Sequence, residues 1–200
     1  NQHNYELMTE DLLSYLNTYN LDEVSLIGHS MGGKAAMTFA CMYPDRVEKL
    51  VVVDISPKYY PPHHQEILSG LKAVDRSNLT SRKDADQILS QYFSESAMRQ
   101  FLLKNLYWRT STELTFKFNL KVLSDQIENV GQALYVNALF DKPTLFIVGQ
   151  ASNYIKETDV ELIEAHFTDF EIVKIPKSGH WVHAENPDHF FDKVSHFLIY

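Results

Sequence analysis

The chain has 200 residues, a formal net charge of −8 with histidine neutral, 44% apolar and 22% charged residues, and one cysteine, Cys41. That balance is globular and excludes a disordered tail. A negative chain without a Lys/Arg cluster argues against binding a phosphate backbone, and a single cysteine excludes an intrachain disulfide or a multi-cysteine metal site. Apolar runs such as Val51–Val53 fall far short of the ~20 residues that span a bilayer. Asn1–Asp11 has neither the basic start nor the apolar core of a signal peptide, so the expected compartment is the cytoplasm. The first residue is Asn, not Met, which reads as a processed, trimmed or fragmentary chain.

Tyr5, Met8, Leu12, Leu16 and Tyr19 recur at helical spacing and predict an amphipathic helix over Tyr5–Tyr19. Val24–Ile27 reads as a short buried strand. Lys34–Tyr43 reads as a helix whose Ala35, Ala36 and Ala40 allow close packing on a sheet, ended by Pro44-Asp45. Lys49–Asp54 is an almost continuous β-branched run, as in a strand covered on both faces. Val24 to Asp54 fits one right-handed βαβ unit. From Pro57 to Lys142 the pattern predicts helices over His64–Val74, Arg82–Tyr92, Glu95–Leu106 and Leu120–Ile127, with Thr115–Asn119 at most a short extended piece. A strand returns at Thr144–Val148, closed by Gly149. Lys156–Phe167 reads as a helix and Phe170–Ile175 as a strand. A last helix starts with Asn186 as N-cap and Pro187 at its first position, and turns Phe190, Val194 and Phe197 inward. The expected fold class is α/β, a mostly parallel sheet with flanking helices. Its core is 1–56 with 143–200, and 57–142 forms a helical lid. The lid leaves from a strand's carboxyl end, the edge at which such sheets bind ligands, and is expected to lie over it.

Gly28-His29-Ser30-Met31-Gly32-Gly33 follows a predicted strand and opens a predicted helix, the required setting of a G-x-S-x-G nucleophile elbow. A serine on so tight a turn sits in a strained backbone conformation, and small residues are expected at Gly28 and Gly32. Gly33 lets the helix approach the strand. The turn lifts the Ser30 hydroxyl off the sheet and leaves the Met31 N–H at a helix N-terminus, where it can donate to a developing oxyanion. No Gly-Lys-Ser/Thr ending follows, which excludes a P-loop. Serine needs a base. Of nine histidines, His180 stands in the loop after the last strand, which suits the chain order Ser…His. His3, His166, His189 and His196 read as surface or packing residues. His63 and His64 open the lid, and His183 reads as structural. The acid that orients the base has two candidates. The loop after the third strand, Gly149–Asn153, holds no carboxylate. Asp54 ends a purely apolar strand, where a carboxylate is costly unless paired. Asp159, in the following helix, is the other. His29, Tyr59 and Trp181 are the candidate substrate-binding residues, with the His29 ring expected to point away from Ser30 by strand alternation. Tyr60, Phe93, Phe101 and Trp108 belong to the same aromatic set in the lid, where plain packing explains them equally well.

With these residues in hand, the chain resembles the α/β-hydrolase superfamily, and more narrowly the YbfF-type bacterial esterases and their mitochondrial abhydrolase-domain relatives. The resemblance rests on Ile27–Lys34, Pro44-Asp45-Arg46, Leu50–Pro57, Phe101–Lys104 and Gly179–Glu185. It implies hydrolysis of short- to medium-chain acyl esters or acyl-CoA thioesters through Ser30, His180 and Asp54, the position at which that family carries its acid. It implies no cofactor and no metal. It also implies about 60 further residues before Asn1, including first strands that would pair with Val24–Ile27, otherwise an open edge, and a His-Gly loop that supplies a second oxyanion donor. Alone, the chain is therefore expected to be weakly stable, prone to self-association or complementation through Val24–Ile27, and weakly active. The alternatives are a metal-free perhydrolase or carbon–carbon hydrolase on the same triad, or an inactive fragment acting as a binding module. A haloalkane dehalogenase, whose nucleophile is a carboxylate, is excluded by Ser30.

Overall fold

The computed structural model describes residues 2–62, 65–77 and 79–200. In chain order its elements are α1 (Tyr5–Thr18), β1 (Val24–His29), α2 (Met31–Met42), β2 (Val47–Val53), α3 (Gln65–Asp75), α4 (Arg82–Leu89), α5 (Ser96–Leu103), β3 (Leu106–Trp108), β4 (Leu114–Phe116), α6 (Leu120–Asp125), α7 (Ile127–Val130), β5 (Thr144–Gly149), α8 (Val160–His166), β6 (Phe170–Ile175), α9 (Val182–Glu185) and α10 (Pro187–Ile199). They form two compact units, one of Asn4–Tyr60 with Asn129–Tyr200 and one built on Pro61–Glu128.

The first unit is a layered α/β fold. Its four strands are all parallel, in the order β1-β2-β5-β6. Successive residues of β2 and β5 serve opposite faces. Leu50, Val52, Phe146 and Val148 pack against Leu16 of α1, Met37, Phe39 and Ala40 of α2, and Ile163 of α8. Val51, Val53, Leu145 and Ile147 pack with Ile175, Val182 and Val194 of α10 on the other side. Covered on both faces, Leu50–Val53 of β2 and Leu145–Val148 of β5 are unbroken apolar runs. Among the described residues β1 has a strand partner on one side only, and Ile27, in register with Val51, is 52% exposed. The helix expected over Lys156–Phe167 instead opens as a 3-10 turn, Glu157–Asp159, and α8 begins at Val160. Tyr19, expected on the core face of the first helix, lies outside α1 and is exposed. Thr9 is buried there, its hydroxyl satisfied by donation to the Glu6 carbonyl within the helix. Asn186 caps α10 as expected, its Oδ1 accepting from the His189 N–H.

The second unit packs Leu68, Leu71, Val74, Leu89, Leu103 and Leu106 into a core of its own. It is not wholly helical. β3 and β4 form an antiparallel pair with Leu106 opposite Phe116 and Trp108 opposite Leu114. The expected helix over Glu95–Leu106 therefore ends at Leu103, and the extended piece expected at Thr115–Asn119 is centred two residues earlier. The Arg82 guanidinium donates to the carbonyls of Leu103 and Leu106 at 2.6 Å each, which terminates α5 and fixes the start of β3. Three-residue strands are too short to display an alternating pattern. Arg82–Tyr92 likewise shortens to α4, and Leu120–Ile127 divides into α6 and α7. His63 and His64, expected to open the lid, lie outside the described residues.

Lys34 of α2 is 2% exposed. Its ammonium donates to the carbonyls of Pro57 (3.2 Å), Gln132 (2.7 Å) and Lys58. These belong to the segments leaving β2 and returning toward β5, which also pair through Tyr60 N–H to Gly131 O and Leu134 N–H to Pro57 O. Burial, helped by the Lys58 charge, pulls the Lys34 ammonium down to about 7. Three acceptors for three N–H groups are what hold a cation there. Lys34→Met removes that donor set and leaves the part-buried Lys58 and Gln132 carbonyls without it, while Pro57 O keeps the Leu134 N–H, with an expected loss of about 1–3 kcal/mol. A urea unfolding series reads this as a lowered midpoint.

Candidate active site

The sheet register aligns the carboxyl ends of β1, β2 and β5. Ser30 N–H donates to Val53 O at 3.0 Å and Asp54 N–H to Ile147 O at 2.8 Å, so each residue that ends a strand is pinned to the neighbouring strand. Ser30 has φ 54°, ψ −120°, a conformation that costs a non-glycine residue about 1–3 kcal/mol and persists only where its surroundings enforce it. The enforcement is local. A Cβ on Gly28 would lie 2.3 Å from the Gly32 oxygen, and one on Gly33 would lie 2.6 Å from Ile55 Cγ2. Gly32 differs from expectation: a Cβ there meets nothing within 4 Å, because it is the Gly32 backbone, not its side-chain space, that approaches Gly28.

Asp54 is fully buried at the end of β2, with φ 52°. Its Oδ1 accepts from Gly149 N–H at 3.1 Å. Its Oδ2 accepts from the Ser152 hydroxyl at 2.5 Å and faces His180 Nδ1 at 2.8 Å. On the far edge of the imidazole, His180 Nε2 lies 3.0 Å from Ser30 Oγ. The two ring nitrogens thus face different partners, Nδ1 the carboxylate and Nε2 the hydroxyl. The backbone that carries His180 is held as well. Gly179 N–H and Trp181 N–H donate to the two Glu185 carboxylate oxygens at 2.8 and 3.2 Å, and the His180 carbonyl contacts His29 Nε2 at 2.8 Å.

The structure thus brings Ser30, His180 and Asp54 into one hydrogen-bonded row. Asp159, the other candidate acid, is elsewhere: its Oδ2 accepts from Lys58 Nζ at 2.5 Å and Lys156 N–H at 2.9 Å. His29 lies among the aromatic rings around His180. Its ring lies 4.7 Å from that of His180, 5.1 Å from Trp181 and 4.9 Å from His183, and burial lowers its pKa. Met31 opens α2. Tyr59 is exposed on the segment after β2, and the Tyr60 hydroxyl donates to the Tyr154 carbonyl. Phe93 packs against the core of the helical unit. Three residues of the site carried no assignment from sequence: Ser152, Glu185, and Tyr154, whose ring stacks on His180 with centroids 3.8 Å apart. Ser152 and Tyr154 sit in the post-β5 loop, where only the absence of a carboxylate was legible.

A serine on a strained strand-to-helix turn, at the carboxyl edge of a parallel sheet, facing a histidine from the loop after the last strand, defines the serine-nucleophile class of α/β hydrolases. The chain belongs to the alpha/beta hydrolase fold family, whose model matches residues 1–187. It is similar to esterase YbfF of Escherichia coli (strain K12), 36% identical over 98% of this chain and 75% of that protein. It is also similar to the sn-1-specific diacylglycerol lipase ABHD11 of Mus musculus, 37% identical over 97% of this chain but only 65% of the relative's length. The solved structure of a marine microorganism esterase superposes with a TM-score of 0.91 at 36% identity, covering 98% of this chain and 78% of that one.

The close approach of β5 to the His180 loop yields a paired test. A Cβ on Gly149 would lie 2.0 Å from the Gly179 oxygen, backbone against backbone, whereas one on Gly179 would meet only the Glu185 carboxylate, at 3.5 Å or more. Gly149→Ala is expected to displace His180 and slow modification of Ser30 by a serine-directed probe about 100-fold, while Gly179→Ala leaves the rate within a few-fold. Equal rates in the two variants would contradict this placement.

Proposed function

We propose that the chain is a serine hydrolase that cleaves carboxylic esters or thioesters of short- to medium-chain acyl groups. The observation that carries the reading is the row Ser30 Oγ, His180 Nε2, His180 Nδ1, Asp54 Oδ2, at 3.0 and 2.8 Å, on a serine with φ 54°. The names of the two relatives and of the solved structure, all esterases or a lipase, favour ester bonds over the carbon–carbon and perhydrolase chemistries that the same residues can run.

Ser30 Oγ attacks the acyl carbonyl carbon while its proton passes to His180 Nε2. Asp54, bonded to Nδ1, keeps the imidazole in the accepting tautomer and balances the charge that forms. The Met31 N–H, at the positive end of α2, donates to the oxyanion. The intermediate collapses with the His180 proton delivered to the leaving alcohol or thiol, giving an acyl-serine. Water then attacks the acyl carbon, His180 takes its proton, and the acid departs with Ser30 restored. His29 and Trp181, with rings 4.7 and 5.9 Å from that of His180, are proposed to contact the substrate together with Tyr59.

A fluorophosphonate probe read by intact mass tests this. One adduct is expected on the wild-type chain and none on Ser30→Ala. Asp54→Asn is expected to label about 10⁴-fold more slowly, because it presents the wrong partner to Nδ1. An unlabelled wild type, with the fold intact, would point to the binding-module reading. A panel of p-nitrophenyl esters and acyl-CoA thioesters then separates leaving group and chain length.

The open side of β1 supports a further reading of partners. An edge strand with unpaired N–H and C=O groups and an exposed isoleucine is a template for strand addition, so we infer self-association or complementation through Val24–Ile27. Sedimentation is expected to show mass rising with concentration in the wild type, and Ile27→Lys to suppress it; a wild type that stays monomeric over the whole range would sink the inference.

A further inference from the structure

The Tyr154 ring lies face-on to the His180 imidazole, with centroids 3.8 Å apart and planes inclined by 17°. This geometry suits one charge state of the histidine better than the other. Two neutral rings prefer an offset or edge-on arrangement with centroids about 4.5–7 Å apart, because overlapped π clouds repel. A cation over the face of a phenol ring is attracted to it. The resting, neutral pair therefore gains little from so close an overlap, and an imidazolium gains more. The tyrosine is also anchored: its N–H donates to Ser152 Oγ at 3.2 Å, and its carbonyl accepts from the Tyr60 hydroxyl at 2.6 Å. Ser152 is itself bonded to Asp54, so the residue that orients one edge of the imidazole and the residue that covers its face share one hydrogen-bonded frame. The remaining aromatic neighbours of His180 are less aligned: the His29 ring is tilted by 43° at 4.7 Å, and Trp181 stands edge-on at 5.9 Å.

We propose that Tyr154 is a positioning residue that holds the His180 ring in the Ser30–Asp54 plane and, through its π face, stabilises the imidazolium formed as Ser30 attacks. The inference rests on the serine-hydrolase reading. Binding that is stronger to the charged than to the neutral imidazole acts on the transition state and not on substrate affinity.

The test is the rate of fluorophosphonate labelling at Ser30 across pH in the wild type, Tyr154→Phe, Tyr154→Leu and variants carrying mono- and trifluorophenylalanine at 154, with Ser30→Ala as control. Phenylalanine keeps the π face and is expected to label within about threefold of wild type. Leucine is expected to label about tenfold more slowly, with the acid limb of its rate profile moved to lower pH, which loss of packing alone does not produce. Fluorination drains the face while keeping ring shape, so the rate is expected to fall stepwise along that series, and this holds the test open if Tyr154→Leu fails to fold. A flat fluorinated series, or phenylalanine as slow as leucine, would overturn the role of the π face. A wild type that does not label, or a Ser30→Ala chain that does, would instead overturn the hydrolase reading beneath it.

Discussion

A single buried carboxylate organises this site. Asp54 has no exposed surface, and an ionised group in that position is tolerable only if its oxygens are occupied by donors. The donors come from two separate stretches of chain: the Gly149 N–H at the end of β5 with the Ser152 hydroxyl in the loop beyond it, and His180 Nδ1 after β6. Satisfying one carboxylate therefore ties the exits of β2, β5 and β6 together, and His180 Nε2 is brought within 3.0 Å of Ser30 Oγ as part of that arrangement. The close passage of Gly149 beneath Gly179 follows from the same demand, since any side chain on Gly149 would hold the histidine loop away from the carboxylate.

Strain is placed where the sheet can bear it. Ser30 and Asp54 both take positive φ, at 54° and 52°, each one residue beyond a strand. Each is held by an N–H bond to the adjacent strand, Ser30 to Val53 and Asp54 to Ile147. Parallel pairing of β1, β2 and β5 in register sets the two turns side by side at the carboxyl edge, where ligands of such sheets bind. Behind them, Lys34 in α2 ties the segments flanking β2 and β5 to the helix that starts at the nucleophile. A frame of parallel strands, the buried Asp54 carboxyl group and the buried Lys34 amine thus fixes the positions of the loop residues.

Much of this frame was legible in the sequence, for physical reasons that differ by element. β2 and β5 are covered on both faces and so read as apolar runs. The elbow reads from its glycines, of which Gly28 and Gly33 leave no room for a Cβ. Asp54 stood out because a charge closing an apolar run demands a partner. His180 was singled out by chain order. What the sequence did not carry is long-range pairing of short segments. β3 and β4 are three residues each and are fixed by the Arg82 guanidinium from another helix. Thr9 reads as polar, yet is buried with its hydroxyl turned back on its own helix. Ser152, Tyr154 and Glu185 are ordinary loop residues until the fold brings them against His180.

The post-β5 loop joins the site without a carboxylate of its own. It offers no carboxylate to the histidine, and the acid stands instead at the end of β2. The loop is nonetheless built into the site: Ser152 donates to that displaced acid and Tyr154 covers the imidazole. The carboxylate itself approaches from β2 with its other oxygen held by the Gly149 amide at the head of the same loop. With the negative charge on Asp54 after β2, the loop is neutral but stays coupled to the charge through Gly149 and Ser152. Its contribution then becomes orientation and π contact, which do not appear as titratable residues in a sequence and are recovered only from distances and ring planes.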